Sequence, residues 1–305
     1  MGGGHSHGPS SSGAMHRGRL LAVLGITTAV LIAELVGSAL TGSLALLADA
    51  GHMATDVAGI LLAVLAVTFA SRPATTERTY GYYRLEILAA VVNAVLLFGV
   101  ALFILKEAWE RWQAPPQVEG GLMLAFAVVG LVANLAGLAL LRSGAQESLN
   151  VRGAYLEVLG DMLGSVAVIV AALVIALTGW LRADVLASVV VALMILPRTW
   201  SLLREAVDVL LEASPRGVDL AEVRRHILAT PGVLDVHDLH AWTITSGMPV
   251  FSVHVVVADE ALAEGGGSAV LARLCDCLDE HFDVEHCTFQ LEPAGHAARE
   301  HASHP

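Results

Sequence analysis

The chain is expected to fold as an α-helical membrane protein with six transmembrane helices, followed by a small α+β domain of order αββαβ. Three observations carry this expectation. Six apolar runs, each near the roughly 20 residues that a bilayer crossing takes, fill residues 20–203. The composition is 55% hydrophobic and only 15% charged, whereas a soluble domain carries about 25% charged residues. Beyond Val207 the pattern changes to short alternating runs separated by turn signals, as in a domain that lives in water.

Residues 1–18 are rich in Gly and Ser and contain His5, His7 and His16, so a disordered tail is expected there. The first apolar run, 20–40, follows Arg17 and Arg19, as a secretory signal would. Its length, its Glu34 and its direct passage into a second run make it a retained helix instead. The further runs are 43–70, 85–109, 121–141, 154–178 and 183–203. Thr41-Gly42, 71–84, Ala114-Pro115-Pro116, 142–153 and Gly179-Trp180-Leu181-Arg182 separate them. Together they define a membrane domain over 19–205.

Arginine and lysine placement sets the orientation. Arg17, Arg19, Arg72, Arg78, Arg84, Arg142, Arg152, Arg198 and Arg204 fall on one side, and Lys106, Arg111 and Arg182 on the other. The first side is then cytoplasmic, with both termini inside, in the inner (plasma) membrane.

The second domain spans 206–293. A helix over 219–230 stops at Pro231-Gly232, and a strand over 233–245 ends at Ser246-Gly247. In a strand over 249–258, Phe251, Val253, Val255 and Val257 take every second position. The glycines 265–267 mark a loop, 269–281 a helix and 284–291 a last strand. A small sheet with helices on one face follows. Residues 294–305 form a second tail, with His296, His301 and His304. Both sets of tail histidines are expected to bind metal weakly and to be dispensable.

The net charge is −12, and most of the acid lies after Val207. That sign excludes a nucleic-acid binder. It suits a cationic partner, although solubility alone accounts for it equally well. Cys275, Cys277 and Cys287 are odd in number and show no disulfide framework, which fits a reducing compartment and a structural role.

Chemistry enters through two short helical signatures, His52-Met-Ala-Thr-Asp56 and Glu157-Val-Leu-Gly-Asp161. Each puts two metal-ligand side chains at i and i+4, on one helix face and one turn apart. Asp49 lies one turn before His52 on the same stripe. Ionisable groups in hydrocarbon are costly and mark functional sites. Two matched pairs on two spans point to a divalent-cation site. If the pairs face each other, His52, Asp56, Glu157 and Asp161 offer one imidazole nitrogen and three carboxylate oxygens. That set suits Zn²⁺ better than the oxygen-loving Mg²⁺ and Ca²⁺. The same groups bind protons, so metal and protons compete, which is the physical basis of exchange.

The chain resembles the cation diffusion facilitator family, and in particular its bacterial cobalt–zinc–cadmium resistance subgroup. The resemblance is carried by Ser43-Leu-Ala-Leu-Leu-Ala-Asp49-Ala-Gly-His52-Met-Ala-Thr-Asp56, Arg78-Thr-Tyr-Gly-Tyr-Tyr-Arg-Leu-Glu86, Gly153-Ala-Tyr-Leu-Glu157-Val-Leu-Gly-Asp161 and Val236-His-Asp-Leu-His-Ala-Trp242. It implies a ferredoxin-like cytoplasmic domain, a homodimer in the lipid bilayer, and export of Zn²⁺, with Cd²⁺ and Co²⁺, against protons, with no organic cofactor. It assigns the transport site to His52, Asp56, Asp161 and the position of Glu157, where many zinc-exporting relatives carry His. It places a regulatory metal site of the cytoplasmic domain at His237, His254, Gln290 and Glu292, with Gln290 the weak member. His240, three residues along the strand from His237, is expected on the opposite face. Arg78 and Tyr82 stand where some relatives hold a further metal, so none is expected there. Arg84 and Glu212 stand where some relatives link their two domains by charge.

The residues also bear on other classes. His52-x-x-x-Asp56 lacks the His-Glu-x-x-His arrangement of zinc proteases, and no phosphate-binding Gly-x-x-x-x-Gly-Lys loop is present, so neither a metalloenzyme nor an ATP-driven pump is expected. A passive channel and a non-transporting metal sensor remain as alternatives to an antiporter.

Overall fold

The structure is a computed structural model that describes residues 11–70, 72–142, 149–245, 247–281 and 286–296. His5, His7, His301 and His304 lie outside the described residues. The long helices are α1 (Ser11–Thr41), α2 (Leu44–Ala70), α3 (Leu85–Gln113), α4 (Gly120–Leu141), α5 (Leu149–Thr178) and α6 (Arg182–Leu210). All six contain a stretch long and apolar enough to cross a membrane. The protein is a multi-pass membrane protein.

Helices α1, α3, α5 and α6 run beyond the expected spans, α1 and α6 furthest. Helix α1 begins at Ser11, inside the region expected to be a disordered tail, and so carries His16. An existing helix extends at little cost per residue, whereas starting one is costly. Ala14, Met15 and the arginines after them are good helix formers. Helix α6 continues to Leu210 for the same reason, although Pro197 sits inside it and leaves the Leu193 carbonyl without its usual partner.

The chain resolves into two compact units, one built from the described residues up to Leu62 with Val92–Leu203, the other from Ala63–Val91 with the described residues from Arg204. In the first unit, Val23, Leu141 and Val158 join α1, α4 and α5. Leu44, Ala48, Leu97, Ile104, Val191 and Ile195 join α2, α3 and α6. Leu46, Met123, Val168, Ala172 and Ala187 pack the start of α2 against α4, α5 and α6. Outward side chains such as Phe103, Val132 and Leu177 are exposed and apolar, a surface made for hydrocarbon.

The turn from α1 to α2 is held by a carboxylate that the sequence reading did not single out. Gly42 takes φ +71°, where other residues are strained. The buried Asp184 of α6 then accepts from Ser43 Oγ at 2.5 Å, from the Leu44 amide at 2.7 Å and from the Ala45 amide at 3.2 Å. It thus caps the N-terminus of α2 from another helix. Asp184→Ala leaves three buried donors without an acceptor. At about 1–3 kcal/mol for each unsatisfied group, partly relieved by relaxation, the loss is about 2–4 kcal/mol. A thermal melt in detergent checks this; a variant that melts with the parent contradicts it. At the same end, Arg111 donates to the Gly42 carbonyl at 2.6 Å and Arg182 to the Trp112 carbonyl at 3.2 Å.

In the second unit the order is α7 (Leu220–Leu228), β1 (Val233–Thr243), β2 (Pro249–Val257), a short α8 (Asp259–Leu262), α9 (Gly266–His281) and β3 (His286–Pro293). This is the αββαβ order with two short helical turns added, α8 and a 3-10 turn over Ala263–Gly265. Asp219 caps α7, accepting from the Ala221 amide at 2.9 Å. The sheet runs β1-β2-β3, with β1 and β2 antiparallel and β2 and β3 parallel. The parallel pair requires a crossover, which α9 supplies. Val223, Ile227, Val236, Ala241, Phe251, Val253, Val255, Val270 and Leu274 form the core, so α7 and α9 cover one sheet face. None of Cys275, Cys277 and Cys287 is disulfide-bonded.

The residues between α2 and α3 belong to this unit. There Thr245 donates to Glu86 and Arg84 meets Glu212 at 2.8 Å. The Arg84–Glu212 pair is about half exposed, so it contributes no more than about 1 kcal/mol. Arg78 lies over the Tyr82 ring at 4.5 Å.

The expectation for His240 fails. Register slips between His237 and His240, with Asp238 at φ +46°. His237 pairs with His254 and His240 with Ser252, two positions on one face of β2. The bulge inserts an extra residue and turns His240 to the side of His237.

Candidate metal centre

Helix α2 contributes His52 and Asp56, and α5 contributes Asp161. His52 Nε2 lies 3.4 Å from Asp56 Oδ2 and 3.4 Å from Asp161 Oδ1. The three donor atoms all fall within 4.8 Å of one another. A tetrahedral Zn²⁺ with bonds of about 2.0–2.1 Å separates its donors by about 3.3 Å. The gaps therefore fit an ion between the groups better than direct hydrogen bonds, which close to about 2.7–3.2 Å. His52 and Asp161 are buried and Asp56 is half-buried. Among the described residues, His52 Nδ1 and Asp161 Oδ1 have no hydrogen-bond partner. Buried polar atoms are seldom left so, which again fits a site made for a cation.

Glu157 does not join this set. Its Oε1 accepts from Arg198 of α6 at 2.7 Å. Three of the four expected ligands converge, and the fourth is held by a guanidinium. Arg198 entered the sequence reading only as a topology marker. A lone Arg inside a predicted span was the signal for a partner, and Glu157 was the candidate. Glu34, which marked the first run as a retained helix, is 1% exposed in α1.

A second cluster lies on the open face of the sheet. His237 Nε2 is 3.1 Å from Glu292 Oε2, and His254 Nδ1 is 2.9 Å from Glu292 Oε1. The His237 and His254 ring centroids are 5.1 Å apart. Register explains the convergence: His237 is opposite His254, which is opposite Gln290, two residues before Glu292. Gln290 is not among the converging donors. It donates to Glu292 Oε1 at 2.8 Å and so orients the carboxylate. Asp238 Oδ2, which the sequence reading missed, lies 3.6 Å from His237 Nδ1 because the bulge turns it there.

Comparison with known proteins agrees with this architecture. A family model for the cation efflux transmembrane domain matches residues 20–211, and one for the cytoplasmic domain of cation efflux proteins matches 215–294. The metal cation efflux system protein CzcD of Cupriavidus metallidurans is 50% identical over 96% of this chain and 91% of its own. The zinc transporter ZitB of Escherichia coli is 45% identical over 94% of this chain and 90% of its own. A cadmium, cobalt and zinc/H(+)-K(+) antiporter of Bacillus subtilis is 40% identical over 96% and 93%. A solved structure of the metal-bound C-terminal domain of the CzcD transporter is 47% identical, covers 25% of this chain and 99% of that one, and superposes with a TM-score of 0.23. With one family model spanning the six helices, a second spanning the sheet domain, and relatives alike over nearly the whole length, the chain belongs to the cation diffusion facilitator family of cation efflux proteins.

Proposed function

We propose that the protein exports Zn²⁺, and with it Cd²⁺ and Co²⁺, from the cytoplasm in exchange for protons, by alternating access at His52, Asp56 and Asp161. The carrying observation is the convergence of three donors from two apolar helices at the spacing a tetrahedral ion requires. The names of the relatives, a zinc transporter and a cadmium, cobalt and zinc antiporter among them, support the same reading. The protein is a transporter, not an enzyme.

The chemistry follows from the donors. Protons compete with the cation for the carboxyl groups and the imidazole. A cation arriving from the cytoplasm displaces them, and protons arriving from the other side displace the cation outward. The imidazole raises affinity for borderline metals over Mg²⁺, which prefers oxygen. Glu157 supplies the fourth ligand by leaving Arg198. The expected topology has both termini in the cytoplasm and the chain in the inner membrane as a homodimer. Expressed in a metal-sensitised bacterium, the protein should lower cell zinc and raise zinc tolerance, whereas Asp161→Ala should do neither. Unchanged cell zinc with the protein present in the membrane would exclude export. It would leave a non-transporting sensor.

The sheet cluster is read as a regulatory metal site made by His237, His254 and Glu292, with Gln290 orienting the carboxylate. Glu292→Ala then costs one bound Zn²⁺ per chain, counted by equilibrium dialysis on the detergent-solubilised protein. An unchanged count would remove this site from the account.

A further inference from the structure

Two glycines bring α3 close against α2. A Cβ at Gly51 would stand 2.8 Å from Val100 Cγ1, and one at Gly59 would stand 2.7 Å from Asn93 Nδ2 and 3.3 Å from Asn93 Oδ1. At the first contact an apolar side chain fills the gap, as expected between two apolar helices. At the second it is a carboxamide. Asn93 Oδ1 is buried and has no hydrogen-bond partner among the described residues. A carbonyl left so inside a helix bundle is costly, and an apolar side chain of similar size would pack there without that cost. Packing alone therefore does not account for Asn93.

Its place on α2 does. His52, Asp56 and Gly59 follow the i, i+4, i+7 spacing of one helix stripe. Gly59 adds no side chain to that stripe, and the Asn93 carboxamide from α3 stands over it instead. Gly59 lies about 4.5 Å along the helix axis from Asp56. In the expected topology α2 ends at the cytoplasmic face, so Asn93 stands on the cytoplasmic side of Asp56, where a cation enters. Asp56 is also the most exposed of the three converging donors, with its side chain 16% exposed against 11% for His52 and 5% for Asp161.

We propose that Asn93 is a further metal-binding residue, whose Oδ1 holds an incoming divalent cation together with Asp56 before the cation passes to His52 and Asp161. An amide carbonyl oxygen is a competent ligand for a partly hydrated divalent ion. Protons do not compete for a neutral amide oxygen, in contrast to the three donors beyond it. Asn93 thus gives the cation its first protein ligand in exchange for water, and Asp56 carries it into the centre. The proposal rests on the transport reading above.

The test uses the full-length protein in proteoliposomes, with an imposed pH gradient and Zn²⁺ below saturation. Asn93→Leu should lower the initial rate of uptake by about tenfold. Its thermal melt in detergent should match or exceed the parent's, because an apolar side chain replaces an unpartnered polar one of similar size. Asn93→Asp, which returns an oxygen to the same place, should recover most of the rate lost in Asn93→Leu. A parent-like rate from Asn93→Leu would overturn the proposal and leave the transport reading standing. So would a melt of Asn93→Leu well below the parent's, which would make the carboxamide a structural contact between α2 and α3. A parent that takes up no Zn²⁺ would overturn the transport reading and this proposal together.

Discussion

Asp161→Ala should abolish zinc transport while leaving the protein folded. Asp161 is one of three converging donors, and its Oδ1 has no other partner among the described residues, so its loss frees no buried network. Removing a second-sphere partner from a metal site costs about 10- to 100-fold in affinity or activity, and a charged ligand costs more than that. A fall of more than about 100-fold in initial uptake by proteoliposomes is expected. Asp161→Asn makes a useful companion because it keeps the shape and removes the charge. Near-normal uptake by either variant would show that the ion passes elsewhere. The remaining donors must also lose protons to bind, so parent affinity should rise with pH.

The second large effect concerns metal choice. Glu157→His should shift selectivity toward Zn²⁺ over Cd²⁺ by roughly three- to tenfold, measured as competing initial rates. The structure adds a reason to test Arg198 beside it. The Arg198–Glu157 pair is about half exposed on the arginine side, and pairs of this kind contribute about 0–1 kcal/mol. A divalent ion at the three converging donors gains far more from a fourth ligand, so the metal wins Glu157 from the guanidinium. Arg198→Gln should therefore tighten metal binding, by no more than about fivefold. If Glu157→His leaves selectivity unchanged, Glu157 is not a ligand. If Arg198→Gln weakens binding, the ion pair orders the site and does not compete with it.

The membrane helices were legible because their signal is length and apolarity, which need no tertiary information. The i, i+4 pairs were legible because helical spacing alone puts His52 with Asp56 on one face. The partner of Glu157 was not, because Arg198 lies 41 residues away in sequence on a separate helix, and only packing brings them together. Asp184 was missed for the same reason, since it caps α2 from a distance of 140 residues. His240 was misplaced because strand alternation assumes regular pairing, and the bulge at Asp238 leaves no clear mark in composition.

The most direct test of exchange is zinc accumulation in proteoliposomes with an acidic lumen. Zn²⁺ should accumulate inside in proportion to the imposed pH gradient, and the lumen should become more alkaline as it does. A protonophore should abolish both signals. Zinc entry that persists at full rate after the gradient is collapsed would contradict antiport and identify a passive channel.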